Sequence, residues 1–309
     1  MKRFLKLIAA ISCGAILMLA SAAQAARDLT FFQVSDTHYG KSPVGDKTVP
    51  MLVDKMNALP GTPYPAIIGG KVGAPRGVIH TGDITNDGKK EQWLMFVRDY
   101  GLTGKDGRLA WPVYETIGNH DGSAGLPVRN GIRERNKSRI GLTAVSDSGL
   151  LYSWDWDGIH FVSCGISVGT TASKYDPEHS FEFLEKDLKQ SIGTSGRPVI
   201  VLHHFGFDKH ADGWWSDEWR ANYFALIKDI NVIGILHGHS HDTSIYEWNQ
   251  IDVYHPPHFK QDGPKDTAPV THGFFVFHIT DDELSVAERK LDDTWGMTAK
   301  KKFKPAPAK

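Results

Sequence analysis

Short apolar runs that each end in a polar cluster recur along this chain. "LTFFQVSD" (29–36), "GVIHTGD" (77–83), "PVYETIGNHD" (112–121), "RPVIVLHH" (197–204) and "NVIGILHGH" (231–239) share the design. Each has the length and the β-branched or aromatic content of a buried strand. Amphipathic patterns between them predict helices over 49–59, 91–100, 178–189 and 217–228. "YSWDWDGIHFVSCG" predicts a hairpin turning at Asp157-Gly158, and "IDVYHPP", "HGFFVFHIT" and "ELSVAERK" predict further strands. Strands alternating with helices imply an α/β architecture. No internal repeat or composition break divides the chain, so one domain is expected over 26–298. The Gly- and Pro-rich segment "PGTPYPAIIGGKVGAPRG" lacks the Ser/Thr and spacing of a phosphate-cradling loop and reads as a connection.

The two ends differ from this body. Residues 1–25 carry Lys2, Arg3 and Lys6, then an apolar run to Ala20 and a small-x-small site at Ala23-Gln24-Ala25. The pattern is that of a secretory signal cleaved after Ala25, and the run is too short for a membrane anchor. A periplasmic or secreted protein is therefore expected. The basic, Pro-containing stretch 299–309 reads as a disordered tail. The formal charge is −1, and loss of the signal would make it −1 − 3 = −4, giving no reason to expect a nucleic-acid partner. Cleavage would also remove Cys13 and leave Cys164, in an apolar run, as a buried inert thiol without a disulfide partner.

The fifteen histidines change the picture more than the charge does. The strand ends supply Asp36 and His38; Asp83; Asn119, His120 and Asp121; His203 and His204; and His237, His239 and His241. In extended chain, residues two apart share a face, so Asp36 with His38 and His239 with His241 can each pinch one site. Parallel strands of α/β folds bind ligands beyond their carboxyl ends, so all five clusters are expected to face one crevice. Oxygen and nitrogen donors of these types suit divalent transition metals, and a carboxylate can bridge two ions.

In this order, the series Asp-x-His, Gly-Asp, Gly-Asn-His-Asp, His and Gly-His-x-His resembles the calcineurin-like metallophosphoesterases, and it runs from Asp36 to His241. The resemblance implies a four-layer αββα sandwich with two central mixed sheets and a two-metal site at its edge. It also implies that Asp36, His38 and His241 hold one ion, that Asp83 bridges, and that Asn119, His203 and His239 complete the second position. His203 is preferred over His204 because the family's liganding His precedes another His or aromatic residue; Phe205 stands where Pro is usual. His120 is implied to bind the phosphate or protonate the leaving oxygen, with Asp121 orienting it or capping the turn. His237 is expected to be structural. The ions are Mn, Fe, Zn or Co, which the ligand set does not distinguish.

Phosphate esters repel anionic nucleophiles and leave poorly. Two cations about 3.5–4 Å apart offset that charge and acidify a bridging water for in-line attack. The small-molecule substrate is thus expected to be a phosphate ester. Purple acid phosphatases carry a Tyr where this chain has Asn86, whereas "GDITNDG" and "GNHD" are similar to bacterial cyclic-nucleotide and glycerophosphodiester phosphodiesterases. That favours diesters over monoesters. Trp214 and Trp215 are candidates for an aromatic substrate wall, while Trp219 is expected to pack its helix. Arg129 and Arg133, and Arg135 and Arg139, form helical i,i+4 pairs that either grip a second phosphate or make a solvated basic face. The alternatives are a phosphomonoesterase of the same fold and a non-catalytic exported metal-binding protein. The latter needs neither His120 beside Asn119 nor a bridging Asp83. A metallo-β-lactamase would not account for "GDITNDG" or "GNHD".

Overall fold

The computed structural model describes residues 26–122, 126–171, 178–209, 211, 213–258, 260–261 and 270–305. The expected signal lies outside them. The first strand, β1 (Leu29–Val34), sets the logic of the layers. With a period of two, Leu29 and Phe31 enter an apolar core shared by two sheets, while Phe32 and Val34 enter a second core with the helices. Gln33 follows the inward set, and its amide donates to the carbonyls of His237 at 3.2 Å and Tyr254 at 3.4 Å, tying the two sheets together.

Five helices are described: α1 (Pro43–Ala58), α2 (Lys90–Tyr100), α3 (Pro127–Ser138), α4 (Ser180–Asp187), which runs on into a π turn over Leu188–Ile192, and α5 (Asp217–Ile227). One mixed sheet joins β1 to the parallel strands β2 (Val78–His80) and β3 (Val113–Glu115) on one side. On its other side lie the antiparallel strands β13 (Gly273–Ile279), β14 (Glu283–Lys290) and β15 (Trp295–Lys302). The second mixed sheet has the order β4 (Leu142–Val145), β5 (Tyr152–Trp156), β6 (Ile159–Ser163), β7 (Val199–Leu202), β8 (Val232–Leu236), β10 (Ile251–His255), β9 (Ser244–Trp248). Its strands from β6 through β10 in that order are parallel. A short ribbon pairs β11 (Lys260–Gln261) with β12 (Val270–Thr271). Two mixed sheets with flanking helices is the expected sandwich.

Aromatic rings dominate the core between the sheets. Phe31 stacks on Phe277 at 4.6 Å and meets Phe161 edge-on at 5.5 Å, so a β1 residue joins both sheets. The expected hairpin joins β5 to β6, with φ of 46° at Asp157 and 81° at Gly158, the two positive values of a type I′ turn. Cys164 is fully buried.

Two boundaries differ from expectation. The first helix begins at Pro43 rather than 49, because the Ser42 hydroxyl accepts the Gly45 N–H at 3.1 Å and Pro43 suits the first turn. The expected disorder from residue 299 is corrected for Ala299–Lys302, which complete β15. Their basic side chains find carboxylates: Lys300 pairs with Glu283 at 2.9 Å, and Lys301 with Glu247 at 2.7 Å and Asp252 at 2.8 Å.

Candidate metal centre

Every candidate ligand lies just past a strand's carboxyl end: Asp36 and His38 after β1, Asp83 after β2, Asn119 after β3, His203 and His204 after β7, His239 and His241 after β8. The two sheets therefore contribute jointly. Convergence does not come from strand alternation as expected. Asp36, His38, Asp83, His239 and His241 all adopt left-handed backbone, with φ from 44° to 76°. Such conformations cost on the order of 1–3 kcal/mol each and persist where the surroundings over-determine them. Here Asp36 N–H donates to Gly82 at 3.0 Å and His38 N–H to Asp83 at 3.1 Å, binding the two loops to each other. Gly238 permits a close approach, since a Cβ there would lie 2.6 Å from Asp36 Oδ2.

Two groups of donors result. Asp36, His38, Asp83 and His241 bring one ligand atom each within 4.8 Å of one another, and Asp83, His204 and His239 do the same. Asp83 belongs to both. In the first group His38 Nε2 lies 2.9 Å from His241 Nε2 and 3.7 Å from Asp83 Oδ2, and His241 Nε2 lies 3.2 Å from Asp36 Oδ1. In the second, His204 Nε2 lies 3.2 Å from Asp83 Oδ2 while its Nδ1 donates to the Thr81 carbonyl at 2.8 Å. That bond fixes the tautomer and leaves Nε2 to face the site.

The electrostatics follow from burial and proximity. Burial opposes charge on Asp36, yet the hydrogen bond from His241 and the nearby imidazoles hold it well below the usual carboxylate range. Burial likewise opposes charge on Asp83, but His204 draws it to about 2; His204 itself, despite burial, is raised to about 9 by Asp83. Burial lowers His38 to about 3 and His239 to about 4.

The structure corrects the choice between the two adjacent histidines. His203 points away from the site: its Nδ1 donates to Phe205 O at 2.6 Å, and its ring packs against Trp215 at 5.2 Å and Tyr223 at 5.7 Å. Adjacent residues leaving β7 diverge, and only His204 reaches Asp83. His237 is structural as expected, fully buried with Nε2 3.0 Å from the Tyr246 hydroxyl.

His120 is exposed, with its ring 4.8 Å from that of His38. Its Nδ1 donates to the Asn86 carbonyl at 2.8 Å and its backbone N–H to Asp83 Oδ1 at 2.8 Å. Asn86, not Asp121, therefore orients the ring. Asp121 instead accepts backbone N–H groups from Ile84 at 3.2 Å, Thr85 at 2.8 Å and Gly118 at 2.9 Å, and the Thr85 hydroxyl at 3.0 Å. It clamps the Asp83 loop to the Asn119 turn. Burial, and then Asp83, push its carboxyl up to about 6.

Of the substrate candidates, Trp214 alone reaches the site, half-buried with its ring 5.0 Å from that of His239. Trp215 is corrected to a core residue, 4% exposed. Arg129 and Arg133 are corrected too. Arg129 is buried and donates to Gly122 O at 2.7 Å and Glu178 at 3.4 Å; Arg133 donates to Ser148 O at 2.8 Å and lies 3.9 Å from Glu178. Arg135 and Arg139 both pair with the fully buried Glu115 at 2.8 Å. Their partners lie outside the helix that carries them, which is why periodicity alone read them as free.

The donor set suits divalent cations on evidence of its own. Asn119 Oδ1 is buried without a hydrogen-bond partner among the described residues, and the carboxylates and imidazoles of the two groups converge. Comparison with known proteins agrees. The family model described as calcineurin-like phosphoesterase matches residues 29–243. Among solved structures the chain is similar to a dimetal phosphatase from Danio rerio, at 12% identity and a TM-score of 0.61 over 89% of this chain and 99% of that one. It is also similar to GAP50, the anchor in the inner membrane complex of Plasmodium, at 14% identity and a TM-score of 0.58 over 90% of both chains. Compared by sequence with curated proteins, the chain matches none. The match over 29–243 spans the parallel strands β1 to β3 and β6 to β8 and every candidate ligand: the chain belongs to the calcineurin-like phosphoesterases, a family of hydrolases acting on phosphate esters.

Proposed function

We propose that this protein is an exported phosphodiesterase working at a two-cation centre. The observation that carries the reading is the sharing of Asp83 between two ligand groups. Asp36, His38, Asp83 and His241 would hold one ion; Asp83, Asn119, His204 and His239 would hold the other. When bound, the two cations would neutralise ester charge and acidify water. The protein's own groups do the rest. His120, held through Nδ1 by the Asn86 carbonyl, keeps Nε2 available to carry a proton to the leaving oxygen. Asp121 holds Asp83 and Asn119 in register, and Trp214 walls the His239 side. The diester preference is supported by the style of "GDITNDG" and "GNHD", and export by the pattern of residues 1–25.

The test is hydrolysis of bis-p-nitrophenyl phosphate beside p-nitrophenyl phosphate by metal-stripped protein reloaded with Mn, Zn, Fe or Co, with Asn119→Ala as control. Metal-dependent diester turnover that collapses in the variant is expected. Turnover of the monoester alone would make the protein a phosphatase, and two bound ions without turnover would make it a metal-binding protein. Mature protein from the producing cell should begin at Ala26; an intact Met1 would contradict export by cleavage.

A further inference from the structure

Beside the metal centre, on the His241 side, lies a cavity of about 350 Å³. Besides Asp242 and Thr243, which follow His241, its walls come from chain outside the ligand motifs: His258 after β10, His272 before β13, and Glu288, Lys290 and Asp292 around the end of β14. His241 lines it as well, so cavity and ligand group share a side chain. His258 stacks on His241, ring centroids 4.8 Å apart and planes 17° from parallel. It is only 8% exposed, and its Nδ1 is buried without a hydrogen-bond partner among the described residues. A polar group so placed, against a void beside a metal centre, is arranged to receive a ligand.

The lining says what kind. The volume falls within the range of about 300–1,000 Å³ typical of small-molecule sites and exceeds what a methyl or ethyl substituent needs. Among the described lining residues, Asp242, Glu288 and Asp292 outnumber the single ammonium of Lys290, which disfavours a second phosphate. An alkyl chain would leave these carboxylates and the imidazoles facing apolar surface, whereas hydroxyl groups can donate to the former and pair with the latter. We propose that this cavity seats the organic substituent of the ester and selects an uncharged, hydroxyl-bearing group of sugar or nucleoside size. The proposal rests on the phosphoesterase reading and adds the substrate class to it.

Three chromogenic diesters separate the possibilities: the p-nitrophenyl ester of thymidine 5′-phosphate, its 3′-phosphorylated counterpart, and methyl p-nitrophenyl phosphate. With the metal-loaded protein, kcat/KM for the thymidine ester should exceed that for each of the others at least about ten-fold, the low end of what filling a substrate pocket contributes to discrimination. Lys290→Trp, which fills the cavity from the exposed end of β14, should bring the thymidine and methyl esters to similar kcat/KM; Asp292→Trp serves if that variant misfolds. In a second arm, saturation-transfer NMR on the metal-free protein should detect thymidine with the wild type and lose it with the filled variant. Equal use of all three esters, or a thymidine preference surviving in the filled variants, overturns the cavity's role and leaves the phosphoesterase reading standing. If no ester is cleaved at all, that reading falls instead, and the NMR arm alone decides the cavity: no thymidine signal overturns it.

Discussion

His204 Nε2 lies 3.2 Å from Asp83 Oδ2, whereas its chain neighbour His203 turns its ring into an aromatic cluster with Trp215 and Tyr223. The two histidines therefore have separable consequences. His204→Ala removes a donor from the second group and should weaken one of two ions by more than the 10–100-fold expected even for losing an outer partner. His203→Ala should leave both ions bound but lower the Tm, because it opens a hole in packed core. Calorimetric metal titration and thermal melts of the two variants check this directly; the opposite pattern would restore His203 as the ligand.

His120 and Asp121 divide in the same way. His120 is exposed and held through one ring nitrogen, so His120→Asn should lower kcat by about 10²–10⁴ with little change in Tm. The loss should be larger for alkyl than for p-nitrophenyl leaving groups, which need less protonation. Asp121→Ala leaves several buried backbone donors unpaired and should cost at least about 3 kcal/mol of stability, at about 1–3 kcal/mol per group. Denaturant unfolding of both variants, beside their kinetics, checks the division.

Glu115 is fully buried between Arg135 and Arg139. Glu115→Ala would strand two guanidinium groups and should destabilise the fold by about 3–5 kcal/mol. Urea unfolding measures this; a loss under 1 kcal/mol would mean the arginines find other partners.

How much of this the sequence exposes depends on where the partners lie. Asp36, His38, Asp83, His239 and His241 sit in short motifs whose donor chemistry is local, so their convergence was legible from strand ends alone. The choice between His203 and His204 was not, because it turns on which way the chain rotates as it leaves β7. For Asp121 the sequence left two readings open, orienting His120 or capping the turn, and could not choose because its partners are backbone N–H groups of residues 84, 85 and 118, to which sequence patterns are blind. Arg129 and Arg133 pair with Glu178, over forty residues away, and no periodicity reports such a partner. His258 and His272 went unnoticed among fifteen histidines, their only signal being proximity to Pro257 and Gly273 in short polar breaks between strands.

His160 offers a pH test away from the metal centre. It is buried between Asp155 at 2.7 Å and Asp187 at 2.6 Å. Burial works against its charge, but the two carboxylates raise its pKa above 6.5. A folded pKa above the unfolded one stabilises fully below the unfolded value, about 6.5, and the contribution is lost as pH rises through the folded value. The Tm gap between wild type and His160→Gln, both metal-free, should be widest below pH 6.5 and narrow at higher pH. A pH-independent gap would mean that His160 is neutral throughout.

The central claim is that one carboxylate serves two cations, and metal titration of the stripped protein with Asp83→Ala beside the wild type tests it most directly. Two ions per wild-type chain, with both weakened in the variant, is the predicted result. A single ion per wild-type chain, or a variant that loses one ion and keeps the other at full affinity, would contradict it.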